Sequence, residues 1–400
     1  MKILVSNFGR QYVNDLLLVV EQNGWLAAFY TAFAANKLPF QRFLPFAWRQ
    51  SLRKRAFAGI HKDKIRHFPG LFALERFFRD RFAGRISRMT GDWFDRKVAQ
   101  DLASSKPDIV IAYENTNRKT MRIAQKMGTV TVLDLAQIHH EDITIYGRWF
   151  MTSEQWQDEV ENVNPRKTEA LQYTDYVLAL SGFAAESMLR HGWPADRLYT
   201  VSLGIDPQQF TPKRRYPSDG PLRLLFVGTI TRRKGLGILF EVLRSMEPGK
   251  MELTLIGPLA DAADLLQENQ GNFRYLPFLH HEELVRHYQQ ADVFVFPSLL
   301  DSWAQTVLES MACGTPAIVT ENTGAKDAVG QGGGWIIPVN DMAALRSCLL
   351  ECAADRGNVE GKGRKAAAIA QNYTRTQYRE QLTSAIKDIA RREHIPFNNV

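Results

Sequence analysis

The sequence predicts an α/β protein made of two doubly wound, parallel-sheet domains facing across a cleft. Three observations carry that expectation. Short apolar runs alternate with helical stretches over most of the chain, the pattern of buried parallel strands joined by crossover helices. The alternation is interrupted once near the middle, where 206–221 reads DPQQFTPKRRYPSDGP, with four prolines and polar filler that continue neither sheet nor helix. Finally, 400 residues exceed the length at which a single core usually stops growing.

The elements follow in order. In a first domain, 1–205, strands are expected at 2–6, 108–113, 129–135, 175–181 and 198–202, with helices at 118–127 and 153–173. An insertion of about 38–96 shows no clear strand and reads as mostly helical. After the hinge, 206–221, the alternation restarts in a second domain, 222–372. Its strands are expected at 222–227, 251–256, 273–276, 293–297 and 317–320, and its helices near Leu236, Glu282, Trp303 and Met342. The remainder, 373–400, is an amphipathic helix with no strand after it, expected to pack back across the hinge onto the first domain.

Composition narrows the function classes. The chain is 45% hydrophobic and 23% charged, an ordinary globular balance. Its longest apolar stretch, 16–35, is interrupted by Glu21, Gln22 and Asn23, and falls short of the roughly 18 apolar residues of a spanning helix. The opening Met1-Lys2-Ile3-Leu4-Val5-Ser6 reads as a buried strand rather than a leader, so a cytoplasmic protein is expected. Cys313, Cys348 and Cys352 are odd in number and lack zinc-ligand spacing, so neither a disulfide frame nor a metal site is expected. The net charge of +7 is regional: 42–97 holds 15 Lys/Arg against 5 Asp/Glu, interleaved with aromatics such as Phe46, Trp48, Phe72 and Trp93. That pattern suits an anionic membrane surface or anionic lipid acceptor, and equally a set of amphipathic helices with solvated Arg/Lys and inward aromatics.

Four segments carry candidate chemistry. In 292–320 a buried strand ends at Pro297, a loop carries Asp301, and a helix is expected to begin near Ser302 and to hold Glu309. Ligands of open α/β sheets sit beyond strand carboxyl ends, where a helix N-terminus offers amides to phosphate. There Asp301 would accept from sugar hydroxyls and Glu309 from a ribose. The bland alternative is a capped helix with a surface Glu. In 224–235, Leu-Leu-Phe-Val-Gly-Thr-Ile-Thr-Arg-Arg-Lys-Gly, a strand and the turn at Gly228 lead to Arg232, Arg233 and Lys234, cations costly to gather unless an anion neutralises them. The spacing is not that of a Walker loop. The third segment, 320–329, contains Gly324 in an ordinary Gly turn. The fourth, 133–142, crowds Asp134, His139, His140, Glu141 and Asp142 at the end of a first-domain strand; sequence alone does not separate the two histidines from a structural pair.

The first segment resembles the Glu-x7-Glu signature of family 4 (group 1) retaining glycosyltransferases of the GT-B fold, with Asp301 in place of the first Glu. Glu309 and the following Met311-Ala312-Cys313-Gly314-Thr315-Pro316 agree with that family. Ser181-Gly182-Phe183 and Gly204-Ile205-Asp206 also match. The resemblance is close over the second domain and looser over the first. It implies that Lys234 and Arg233 hold a donor diphosphate, with Thr229 where an Arg is usual. It also implies that the Gly324 loop borders the donor sugar and base, and that His139, taken over His140, lies beside the reacting sugar. The expected activity is retaining, metal-independent transfer from a nucleotide-diphosphate sugar to a glycan or lipid-linked acceptor, commonly in bacterial surface polysaccharide or lipopolysaccharide synthesis. Expected catalytic residues are His139, Asp301 and Lys234; expected donor contacts are Gly228, Arg233, Lys234, Ser302, Glu309 and Gly324. No cofactor and no nucleic-acid partner are expected, with peripheral contact to an anionic membrane. Competing readings are a nucleotide-sugar epimerase on the same fold and a basic nucleic-acid-binding protein centred on 42–97. A dehydrogenase lacks its Gly-x-Gly-x-x-Gly, and no glycosidase-like carboxylate pair is evident.

Overall fold

The computed structural model describes residues 1–9, 12–37 and 55–397, and the side chains of 75–83 and of residue 281 lie outside that description. Two all-parallel sheets organise the chain, as the sequence predicts. The first has the order β3-β2-β1-β4-β5-β6-β7. Its strands are β1 (Ile3–Ser6), β2 (Leu26–Thr31), β3 (Ile65–His67), β4 (Ile109–Tyr113), β5 (Val130–Leu135), β6 (Tyr176–Ala179) and β7 (Leu198–Thr200). Its helices are α1 (Val13–Gln22), α2 (Pro69–Ser105), α3 (Arg118–Lys126), α4 (His140–Gly147), α5 (Ser153–Asp158), α6 (Asn164–Leu171) and α7 (Gly182–Arg190). All residues of β1, β5 and β6 are buried, because helices cover both faces of the sheet.

The second sheet has the order β10-β9-β8-β11-β12-β13. It contains β8 (Leu222–Val227), β9 (Met251–Ile256), β10 (Arg274–Leu276), β11 (Val293–Phe296), β12 (Ala317–Thr320) and β13 (Gly334–Ile337). Around it lie α8 (Leu236–Arg244), α9 (Ala263–Glu268), α10 (His281–Gln290), α11 (Gln305–Ala312), α12 (Met342–Ala354) and α13 (Arg356–Ala370). In each sheet the order reverses once, between β1 and β4 and between β8 and β11. Connections leave such a switch point on opposite faces and open a crevice beyond the strand ends.

The stretch 206–221 holds neither strand nor helix and packs on the second sheet's helices: Lys213 N–H donates to Cys313 O at 2.9 Å, and Tyr216 Oη to Gly314 O at 3.0 Å. The last helix, α14 (Arg375–Arg392), lies against α1, where Arg379 pairs with Asp15 at 2.5 Å. Tyr199 of β7 donates to Asp388, and Tyr176 of β6 to Glu393, each at 2.5 Å. Leu382, Ile386 and Ile389 of α14 are buried.

Several elements depart from the sequence expectations. β3 lies within 38–96, where no strand is legible; only Ile65 of its three residues is buried, so neither length nor alternation marks it. Residues 38–54 of that insertion lie outside the described residues. β2 merges in sequence with the apolar run of α1, and β13 follows Gly332 and Gly333, which read as a turn. The helix expected over 153–173 is present over 153–171, but it passes through a π turn, Glu159–Val163, between α5 and α6. The helix expected to begin near Ser302 begins instead at Gln305, behind Ala304 in left-handed conformation at φ 62°. The cause is local: Asp301 bridges to Thr323, its N–H donating to Asn322 O at 2.9 Å and its O accepting from Gly324 N–H at 2.8 Å, which prolongs the sheet past the strand end.

Candidate active site

The two basic and acidic motifs of the second domain meet at its switch point. Lys234 ends the 3-10 turn Arg232–Lys234 after β8, and Asp301 follows β11, so the strand order brings their loops side by side. Lys234 Nζ is ion-paired with Asp301 Oδ2 and stands 4.6 Å above the Phe296 ring. Both side chains are largely buried, at 10% and 14% exposure. Burial pushes the Asp301 carboxyl up, but Lys234 and Arg233 beside it outweigh that and hold it below its ordinary value. Gly235 makes this approach possible: it sits at φ 71°, and a Cβ there would lie 1.9 Å from Pro297 O. Arg233 Nη1 donates to Leu300 O at 3.1 Å, whereas Arg232 turns away to pair with Asp264. Gly228 lies in the turn directly after β8, its N–H donating to Ile256 O at 2.9 Å.

Ser302 does not head a helix; it joins the two domains. Its Oγ donates to Ala136 O at 2.8 Å, and its O accepts from Ser181 Oγ at 2.7 Å. Gly324 packs on that junction, where an added Cβ would meet Ser302 O at 2.0 Å. Nearby, Gly182 N–H donates to Asp327 Oδ2 at 2.8 Å, and Lys326 pairs with Glu186 at 3.1 Å.

Glu309, five residues into α11, is buried and accepts from Tyr288 Oη of α10 at 2.9 Å. Burial raises its carboxyl to about 7. Its interactions are with Tyr288, Arg375 and Cys313, so it is not drawn into the Lys234–Asp301 pair.

On the first-domain side, His139 is the N-cap of α4 and one of three stacked imidazoles. Its ring lies 4.2 Å from that of His140 and 4.0 Å from that of His191. His139 Nδ1 accepts from Glu141 N–H at 3.3 Å, while His140 Nε2 is 2.8 Å from Thr168 Oγ1. Burial, then the neighbouring His191, lowers His139 to about 4; burial, then His139, lowers His140 to about 3. At neutral pH His139 is therefore uncharged, and since Nδ1 is the acceptor, its proton sits on Nε2, which bonds to none of the described residues. His139, His140 and Arg233 line one cavity of about 520 Å³.

His139, Glu141 and His191 offer ligand atoms within 4.8 Å of one another. The rings of His139 and His191 are stacked 4.0 Å apart at 11°. Imidazole lone pairs lie in the ring plane, so one cation cannot serve both rings as they stand. The same cavity holds residues the sequence reading passed over: Glu114, Glu159 and Lys167. Glu114 follows the buried strand β4 directly, a position that strand-end reasoning could have flagged. Lys167 lies within a helical pattern that gives no hint of its burial.

Residues 208–373 match the sequence profile described as "Glycosyl transferases group 1". The chain is 28% identical over 199 residues to an amylovoran biosynthesis glycosyltransferase of Erwinia amylovora, covering 46% of this chain and 49% of that protein. It is 25% identical over 248 residues to the O-antigen chain mannosyltransferase B of Escherichia coli, covering 58% and 65%. The chain thus spans less than two thirds of the length of these relatives. Among solved structures it resembles a sucrose-phosphate synthase from Thermosynechococcus elongatus, with TM-score 0.68 at 16% identity over 98% of this chain and 100% of that one. The Anabaena protein HepE in complex with UDP and glucose gives 0.64 at 15% identity over 97% and 100%. The chain therefore has the GT-B fold, and its residues 208–373 are similar in sequence to the group 1 glycosyl transferases.

Proposed function

We propose that this protein is a retaining glycosyltransferase of the family 4 type, which moves a hexosyl group from a nucleotide-diphosphate sugar to a glycan or lipid-linked acceptor. The observation that carries the reading is the meeting of Lys234 and Asp301 at the second switch point, inside the segment that matches the group 1 profile. An ammonium has three donors, so Lys234 can keep Asp301 while turning to a phosphate oxygen. Arg233 and the first amides of α11, which no N-cap side chain closes, complete a setting for the diphosphate. Gly228 and Gly324 let the chain come close to the donor. Asp301 accepts from sugar hydroxyls, and Glu309 offers the ribose the oxygen that Tyr288 leaves open. Neutral His139 donates from Nε2 to the sugar being transferred.

In this mechanism the domains close over the donor, and the acceptor hydroxyl attacks the anomeric carbon from the face the diphosphate leaves. Charge growing on the departing phosphate is met by Lys234 and Arg233, which is stabilisation aimed at the transition state. Those cations supply the charge that a metal would otherwise provide, so the reaction is proposed to be metal-independent. The relatives point to surface polysaccharide assembly as the setting. No helix among the described residues is long and apolar enough to cross a membrane. A cytoplasmic location, with the basic residues of 42–97 touching an anionic leaflet, fits a lipid-linked acceptor. The test is product analysis: with a panel of nucleotide sugars and lipid or glycan acceptors, NMR should show a glycoside with the donor's anomeric configuration. An inverted product removes the retaining assignment, and a free epimerised nucleotide sugar removes the transferase.

A further inference from the structure

Behind His139 the cavity runs into the first domain and ends on a buried ion cluster that the chemistry above does not use. Lys167 Nζ stands 3.1 Å from Glu114 Oε1 and 3.6 Å from Glu159 Oε1, with its side chain only 8% exposed. Around it, Glu114 Oε2, Thr116 Oγ1 and Arg118 Nε are buried with no hydrogen-bond partner, and all three residues line the cavity. Polar atoms left so are costly, and their gathering on one wall points to a ligand that both donates and accepts. The wall is also held by irregular backbone: Glu159 opens the π turn, and Asn115, between Glu114 and Thr116, is left-handed at φ 76°. Such departures concentrate where ligands bind.

Charge decides the ligand class. Among the described residues, each first-domain cation of the wall is already paired. Arg88 holds Asp158 at 2.5 Å, Arg118 holds Glu169 at 3.0 Å, Arg166 holds Asp92, and Lys167 holds its two glutamates. Arg233, on the donor side of the cavity, is the one lining cation with no carboxylate partner among the described residues, so an anionic group reaching the first-domain wall would find its cations committed and would face the open oxygen of Glu114. A hydroxyl suits both kinds of unpaired atom, because it donates to a carboxylate and accepts from a guanidinium. Apolar neighbours such as Ile143, Phe150 and Met151 give a ring face something to lie against, and about 520 Å³ is within the roughly 300 to 1,000 Å³ of small-molecule pockets.

We infer that this cavity holds an uncharged, hydroxyl-bearing sugar ring of the acceptor, selected by Glu114, Arg118 and Lys167. The inference rests on the transferase reading, because Arg233 and His139 at the cavity mouth connect it to the donor side. The test uses the full chain with saturating UDP, GDP or ADP. Its probes are methyl glucoside, methyl galactoside and methyl mannoside against glucuronate and glucose 6-phosphate, read by saturation-transfer NMR and calorimetry. At least one neutral glycoside should bind, and bind better than either anion. Glu114→Gln should weaken it about tenfold or more, the scale of a hydrogen bond to a charged group, while leaving nucleotide binding unchanged. Lys167→Gln should weaken it too, and Arg118→Lys should restore less than the wild-type affinity. Preference for the anions, or glycoside affinity unchanged in Glu114→Gln, overturns the inference. Should a variant fail to fold, the charge preference of the wild type alone decides. Nucleotide binding without any glycoside binding sinks this inference and leaves the donor reading standing; no nucleotide binding sinks the donor reading itself.

Discussion

Lys234 and His139 show how surroundings set the working charge of single residues: burial lowers the pKa of both, and at Lys234 the Asp301 carboxylate opposes it. Lys234 is held against Asp301 in a largely buried place, so the pair is set before any ligand arrives. Loss of one such positioned donor costs roughly 3 to 4 kcal/mol of transition-state stabilisation. Lys234→Ala should therefore cut turnover on the order of 100-fold or more, with the near-UV circular dichroism of the wild type retained; steady-state kinetics checks it. His139 and His140 titrate lower in the fold than in the unfolded chain, near 4 and 3. The unfolded chain then binds more protons below about pH 6.5, and stability falls as pH drops from there toward 4. His139→Gln should flatten that acid limb of a thermal-melt series; an unchanged limb would show that the imidazole stack is not its source. At this scale the sequence was informative about placement where polar residues follow a strand end, as at Lys234, Asp301 and His139. It was silent on Lys167, whose significance comes from a fold that brings Glu114 and Glu159 to it.

Among the elements, strands set off by their own apolar run were legible even when short, as at β7 and β10, whereas β2, continuous with the apolar run of α1, was not. β5, β8 and β12 announce themselves by mostly apolar runs, interrupted only by Thr131 and Asp134, by Arg223, and by the closing Thr320. β3 has three residues with one buried, and β13 begins with a glycine, so tertiary pairing rather than pattern makes them strands. The start of α11 was misplaced for a different reason: Ser302 and Asp301 look like a cap, but Asp301 is already engaged in sheet-like pairing with the 322–324 loop. The turn before α8 carries the tightest constraint. Gly235→Ala would bring a Cβ within 1.9 Å of Pro297 O at φ 71°. Its left-handed conformation alone costs about 1 to 2 kcal/mol, and relief of the clash must move the Lys234 loop. The melting midpoint should fall, and nucleotide affinity should fall with it; a variant that melts lower but binds as before would separate the loop from the ligand.

For the whole molecule, the two domains touch through backbone-directed contacts that converge on the site: Ser302 with Ala136 and Ser181, and Asp327 with Gly182. Each hydrogen bond is worth about 0.5 to 1.5 kcal/mol net, so together they bias closure modestly. Ser302→Ala should raise the donor KM several-fold with the melting midpoint little changed, since Ser302 is half-buried at the junction, whereas Ser181 is fully buried and also caps α7 through Ala184 N–H. The repeated alternation of strands and helices, broken once by 206–221, made two sheets foreseeable. Which loops would meet at the cleft depended on the two switch points, and strand order is not written in any local pattern. The central claim is that the crevice between β8 and β11 is built for a diphosphate. It is tested most directly by melting the wild type and Lys234→Ala with UDP, GDP and ADP, and with the bare nucleosides as controls. At 100 times Kd a ligand adds about 2.7 kcal/mol to the folded state, so at least one diphosphate should raise the wild-type midpoint by several degrees, its nucleoside far less, and the variant should lose most of the shift. Equal shifts from nucleoside and diphosphate, or a full shift retained without Lys234, would contradict the account.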